Sequence, residues 1–294
     1  MATQTAPTPV RHRHVAPHRR RSRGMPRLKT TIIAAAAYLI GFFFLFPYLV
    51  MILISLRPQT ELRSAVWFPE RFDFSAITGF WSTGLAHNLN VSLQVAAGST
   101  ILVLLVALPA AYYTARHNFR GRNVFLVLVL VTQMFQPTAM VVGIYREFFT
   151  FGMVDSVLSL ILVNGGFNLA FAVWILNAYF SSIPRELEEA AFIDGNGRFG
   201  ALFRVTLPLA MPGVITALIF TFIAAWNEFV VALTLTTSPE NQPLPVALQS
   251  YMGQYSVNWQ ELFAGSVIAT IPVIILFALI ERKVVGGLTA GSIK

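Results

Sequence analysis

Six long apolar runs mark the chain, at about 31–56, 88–115, 123–147, 156–180, 210–235 and 262–285, with most of the charge in the stretches between them. Each run is long enough for an α-helix to cross a hydrocarbon core about 30 Å thick, which takes roughly 20 residues. None alternates apolar and polar residues with the period of two that a transmembrane barrel strand requires, so helices are the expected spanning element. The first run is too long for the apolar part of a signal peptide and lacks a convincing small-residue cleavage site. It is expected to remain as an uncleaved first span. The pattern therefore predicts an all-α integral membrane protein with six transmembrane helices. A transmembrane domain over 30–294 follows a basic tail over 1–29, with no soluble domain of any size.

Composition agrees: 55% of the 294 residues are hydrophobic and 12% charged, with a mean hydropathy of +0.65. A soluble domain carries about twice that charged fraction. The net charge of +8 invites a nucleic-acid reading, but its distribution argues for a membrane surface. Eight of the 21 Lys and Arg lie in the Pro/Arg/His-rich tail, with no acid among them, as expected of a disordered segment facing anionic lipid. Counted by loop, seventeen of the 21 fall on the side of the tail, the 116–122 loop, the 181–209 loop and the C-terminus. The other side has only Arg57, Arg63, Arg71 and Arg146, so both termini are expected to be cytoplasmic. Trp67, Trp81 and Trp259 fall in the outward segments, where interfacial aromatics belong.

The 181–209 loop has the most specific local signals. Pro184 suits the first turn of a helix, and Glu186, Glu188 and Glu189 complement the positive end of its dipole. Leu187, Ala190, Ala191 and Asp194 follow helical spacing, and Gly195 is a natural left-handed stop. A second amphipathic helix follows from about Asn196, with Phe199, Leu202 and Phe203 on its apolar side. Pro208 and Pro212 then interrupt the backbone as the next run begins. The expected unit is a short helix–turn–helix at the membrane surface between spans four and five. On these signals alone it is either an interfacial linker or an element that docks into another protein.

Glu189-Ala190-Ala191, then Gly195 after three residues and Val205-Thr206-Leu207-Pro208 after nine more, resembles the EAA motif of ABC-importer permease subunits, with Val205 in place of Ile. Trp226-Asn227-Glu228-Phe229, Leu244-Pro245-Val246 and Gly287-Leu288-Thr289-Ala290-Gly291 are similar to the smaller, six-span permease of maltose-type carbohydrate importers, over roughly 30–294. The resemblance implies that Glu189, Ala190, Ala191, Asp194 and Gly195 couple to a cytoplasmic ATPase. It also implies that Gly287, Leu288, Thr289, Ala290 and Gly291 reach into the ATPase dimer. The implied partners are that ATP-binding dimer, a second permease that is a different chain, an extracytoplasmic solute-binding protein and a carbohydrate delivered by it. The implied place is a bacterial cell membrane.

The chemistry in the sequence fits a non-catalytic subunit. There is no phosphate-binding Gly-x4-Gly-Lys-Ser/Thr loop, so ATP and Mg would be bound by the partner and no cofactor is expected in this chain. Cysteine is absent, and neither a zinc-protease motif nor a metal-spaced His cluster occurs in the spans, so no catalytic or metal residues are assigned. Glu228, with Asn227 beside it, lies well into the fifth run, where a carboxylate is costly unless it faces a cavity or is paired. Gln133 and Gln136 precede Pro137 inside the third run. These four residues are candidates for a solute pathway, or equally for hydrogen bonds between helices. The rival function is an ion-coupled secondary transporter of a small polar solute, which calls for internal repeats and midplane carboxylates that the chain does not clearly offer.

Overall fold

The computed structural model describes residues 27–63, 68–253 and 255–290. The basic tail up to residue 26, Trp67 and Gly291 lie outside them. The chain divides at residue 47 into two units. The first contains most of helix α1 (Arg27–Ser55), which starts early enough that Arg27 and Lys29, expected in the tail, are already helical. Tyr38, Phe43 and Leu39 on this helix are 81%, 71% and 70% exposed, an apolar surface suited to lipid or to an apolar partner helix.

The second unit holds the remaining helices: α2 (Ser75–Gly79), α3 (Leu85–Arg116), α4 (Arg122–Thr132), α5 (Pro137–Thr150) and α6 (Val157–Ser182). Then come α7 (Glu186–Ile193), α8 (Arg198–Ala201), α9 (Leu207–Leu209) and α10 (Met211–Trp226). Last are α11 (Val230–Leu235), α12 (Leu244–Leu248) and α13 (Trp259–Ala290). Among the described residues the only β pairing is an isolated bridge between Met252 and Val257.

Helices α3, α6 and α10 form the centre of the unit. Ala107, Ala111 and Ala115 recur every fourth residue on α3 and pack against Ala172, Val173, Leu176 and Phe180 of α6, Val214 and Ala217 of α10, and Ala210 just before it. Small residues bring these backbones together, which is how helices associate when no hydrophobic force distinguishes protein from lipid. A methyl group placed on Gly165 would lie 2.7 Å from Leu102, and one on Gly213 would lie 2.4 Å from the Tyr179 ring. Asn177 links the same helices, donating to the Thr114 hydroxyl at 2.8 Å.

Among the described residues four helices are long and apolar enough to cross a membrane, or up to six if each of two bent pairs is one span. The first, second, fourth and sixth expected spans are α1, α3, α6 and α13. The continuous third span expected over 123–147 is instead two helices, α4 and α5, at 94° to each other. Pro137 at the start of α5 explains the break. Its ring disfavours helical geometry at the preceding residue, and Gln136 is extended (φ −77°, ψ 131°). The fifth expected span, 210–235, ends its first helix at Trp226 and resumes as α11.

Candidate functional site

Among the described residues most of the candidate side chains fall in two places: the 183–209 loop and a cavity at the breaks between α4 and α5 and between α10 and α11. In the loop, Ile183 is extended before Pro184, and α7 begins with three carboxylates in its first turn. It ends where Gly195 turns left-handed (φ +84°). There the N–H of Asn196 donates back to the Ala191 carbonyl at 3.0 Å, which closes the helix end. The second helix of the loop is irregular, with α8 passing through a π turn over Leu202–Thr206 into α9. The run Arg198–Leu209 then bends by 74° into α10 at Ala210, with Pro212 in the first turn of α10.

Helical neighbours face directions about 100° apart, and this sorts the acidic residues. Glu188 points inward and is only 6% exposed. Its carboxylate accepts from Arg116 Nε at 2.7 Å, from Thr206 Oγ1 at 2.6 Å and from Tyr112 Oη at 3.1 Å. Arg116, the last residue of α3, also donates to the Ile183 carbonyl at 3.0 Å. One buried side chain thus ties both strands of the loop to the end of α3, and Ala191 is buried beside it. Glu189, Ala190, Asp194 and Gly195 are exposed, as are Phe192, Phe199 (80%) and Ile193 (86%). Sequence reasoning singled out Glu189 and passed over Glu188. The available signal was that a basic helix end at Arg116 needs a carboxylate from the one acidic loop on its side.

The cavity measures about 490 Å³ and brings together Gln133, Gln136 and Glu228 with Asn164 and Asn168 of α6, which sequence reasoning missed. Phe135 and Phe167 form apolar parts of its wall. The Glu228 carboxylate accepts from the N–H groups of Val231 at 2.7 Å and Ala232 at 2.9 Å, capping α11. Gln133 donates weakly to the Phe167 carbonyl at 3.4 Å. Asn227 is not brought to this cavity. It lines a second one, of about 400 Å³, with Tyr48, Trp226 and Thr270, because the chain turns at the end of α10 between the two residues. Gly287, Leu288, Thr289 and Ala290 form the end of α13, and Gly291 lies outside the described residues. Among the described residues no group of three or more His, Asp or Glu could hold a metal ion.

On the face bearing the α5–α6 connection, Asp155 has a left-handed backbone (φ 62°) and clamps the segment after α11. Its carboxylate accepts from the N–H groups of Thr237 at 2.9 Å and Ser238 at 3.0 Å, and its carbonyl accepts from Asn241 at 2.8 Å. Burial pushes this carboxyl up, but the donors from Ser238, Thr237 and Asn241 outweigh it and hold the carboxyl at about 2.

The described residues thus form an all-helical bundle with two bent helix pairs and a surface loop tied to α3 by a buried carboxylate. Residues 104–285 match the family of binding-protein-dependent transport system inner membrane components. The chain belongs to that family, and an ATP-driven importer is favoured over an ion-coupled secondary transporter. It is 36% identical over 253 residues to the sulfoquinovosyl glycerol transport system permease protein SmoH of Agrobacterium fabrum, covering 85% of this chain and 89% of that protein. It is 33% identical over 270 residues to the diacetylchitobiose uptake system permease protein DasC of Streptomyces coelicolor (89% and 95% covered). It is 31% identical over 271 residues to the trehalose/maltose transport system permease protein MalG of Thermococcus litoralis (91% and 98% covered). The fold is similar to a chain of a bacterial ABC transporter involved in the import of the acidic polysaccharide alginate. That match has a TM-score of 0.74 and 24% identity, covering 87% of this chain and 96% of that one.

Proposed function

We propose that this chain is one of two permease subunits of an ABC importer that takes a carbohydrate inward from an extracytoplasmic binding protein. It spans a bacterial cell membrane six times, each bent pair counting as one span, with both termini and the 183–209 loop in the cytoplasm. A separate ATPase dimer binds ATP and Mg and supplies the energy, and the second permease is a different chain. The substrates in the relatives' names support the carbohydrate reading: sulfoquinovosyl glycerol, diacetylchitobiose, and trehalose or maltose.

The observation that carries the mechanism is the division of labour in α7. Glu188 holds the helix to α3 and Ala191 is buried, while Glu189 and Ala190 stay outside with Ile193 and Phe199. Movement of a protein seated on the outer face would therefore reach α3 through a rigid strut. Ala190 allows close approach, Glu189 offers a carboxylate to a basic partner, and Gly195 permits the sharp turn. The last residues of α13, Gly287 to Ala290 with Gly291, are a second contact with the ATPase. On the far side, Gln133, Gln136 and Glu228 line this chain's part of the sugar route, and Asn227 contributes from the neighbouring cavity. Glu189→Lys tests the coupling assignment: uptake and stimulation of the ATPase should fall while the binding protein still binds its sugar. Normal uptake by this variant would reduce the loop to a linker.

A further inference from the structure

The polar groups of the 490 Å³ cavity differ in what they leave available. Asn164 donates to the Leu160 carbonyl and Asn168 to the Asn164 carbonyl, each at 2.9 Å, and Gln133 donates to the Phe167 carbonyl. Each of these three amides commits one of its two N–H groups to the backbone, and among the described residues no donor reaches its side-chain oxygen. Glu228 adds two carboxylate oxygens, each with one backbone N–H and further accepting capacity. Among the described residues no Lys, Arg or His lines the cavity. The polar surface is therefore biased toward acceptors and carries one negative group without a cation.

We infer that this cavity takes neutral or amino-substituted sugars and turns away acidic ones. The inference rests on the reading of the cavity as part of the sugar route. A hydroxyl-rich ring supplies the donors that the amide and carboxylate oxygens lack, and its C–H faces can rest on Phe135 and Phe167. A sugar carboxylate or sulfonate would meet Glu228 at close range with nothing to pair it, and burying an unpaired charge is strongly unfavourable.

The chain has no cysteine, so one introduced thiol is the only one it carries, and the complex with the unsubstituted chain gives the background to subtract. Asn168→Cys in the full transport complex, reconstituted in proteoliposomes, is treated with a cationic and an anionic methanethiosulfonate of similar size. Rates are divided by those for a small free thiol. Both reagents should react, the cationic one about fourfold faster, which is the factor for a unit charge felt across roughly 10 Å of water. Adding Gln136→Lys, at an exposed position, should bring the ratio to one or below; Glu228→Gln should lower it as well. Equal rates in the Asn168→Cys complex, or faster anionic reaction, would overturn the charge filter and leave the sugar route intact. Failure of both reagents at every stage of the ATP cycle would overturn the sugar route together with the filter.

Discussion

Glu188→Ala takes the shared acceptor away from three donors at once: Arg116 Nε, the Thr206 hydroxyl and the Tyr112 hydroxyl. The side chains of Arg116 and Glu188 are 7% and 8% exposed, so this is a buried pair and not a surface one. Exposed pairs contribute about 0.2–1 kcal/mol, whereas removing one partner of a buried pair costs about 3–5 kcal/mol because the other charge is stranded. The orphaned Thr206 hydroxyl would add about 1–3 kcal/mol by itself, but it shares the same vacated space, so the costs do not sum. The expected loss is therefore about 3–5 kcal/mol, concentrated where α7 meets α3. Arg116→Met should cost a similar amount. The double variant should cost less than the sum by about 0.5–3 kcal/mol, since no lone charge remains. Hydrogen exchange over residues 183–209, with the thermal midpoint of the purified complex, reads both quantities. Exchange in the loop should rise sharply in each single variant, while the centre of α6 stays protected. Single variants that each lose less than about 1 kcal/mol, and add in the double, would refute the strut.

Gly195→Val forces a β-branched residue into φ +84°, a strain of about 1–2 kcal/mol or more, and should cut uptake and co-purification of the ATPase while leaving sugar binding by the binding protein unchanged. Gly213→Leu drives a side chain into the Tyr179 ring, so the yield and thermal midpoint of the folded complex should drop, by about 1–3 kcal/mol if the helices can yield. Asp155 holds its proton more weakly when folded, at about 2 against an ordinary 3.8. Its stabilisation is whole above about pH 4 and lost as pH falls through about 2. Asp155→Asn should therefore lower the thermal midpoint at neutral pH, with the gap to the parent closing below about pH 4. Glu228→Gln keeps one acceptor for α11 and should alter uptake more than yield; normal uptake per folded complex would make Glu228 a helix cap alone.

What could be read from the sequence follows from how local each signal is. The spans of α1, α3, α6 and α13 were legible because hydropathy over about 20 residues needs no knowledge of the rest of the fold. The end of α7 was legible because Gly195 is one of the few residues that takes a left-handed turn without strain. The break at 133–136 was half legible. Pro137 announced an interruption, but apolar residues on both sides hid a bend of 94°. Asn227 and Glu228 are adjacent in sequence and line different cavities, because the chain turns between α10 and α11 and period alone cannot place a turn residue. Glu188 was the largest miss. Both it and Glu189 suit the first turn of a helix, and only the position of Arg116, 72 residues earlier, decides which of the two turns inward. Asn164 and Asn168 read as ordinary polar residues of a span until α4 and α5 bend around them.

The central claim is that the outer face of α7 seats an ATPase on the side away from the sugar-binding protein. In a chain with no cysteine of its own, an Ala190→Cys variant can be cross-linked in native membranes and the captured protein identified by mass spectrometry. A separate Thr237→Cys variant, beside the Asp155 clamp, serves as the control for the opposite face. The account predicts that the thiol at position 190 captures a protein bearing a phosphate-binding loop, more strongly in one nucleotide state than another, and that the thiol at position 237 captures none of it. Capture of the ATPase from position 237, or of the solute-binding protein from position 190, would contradict it.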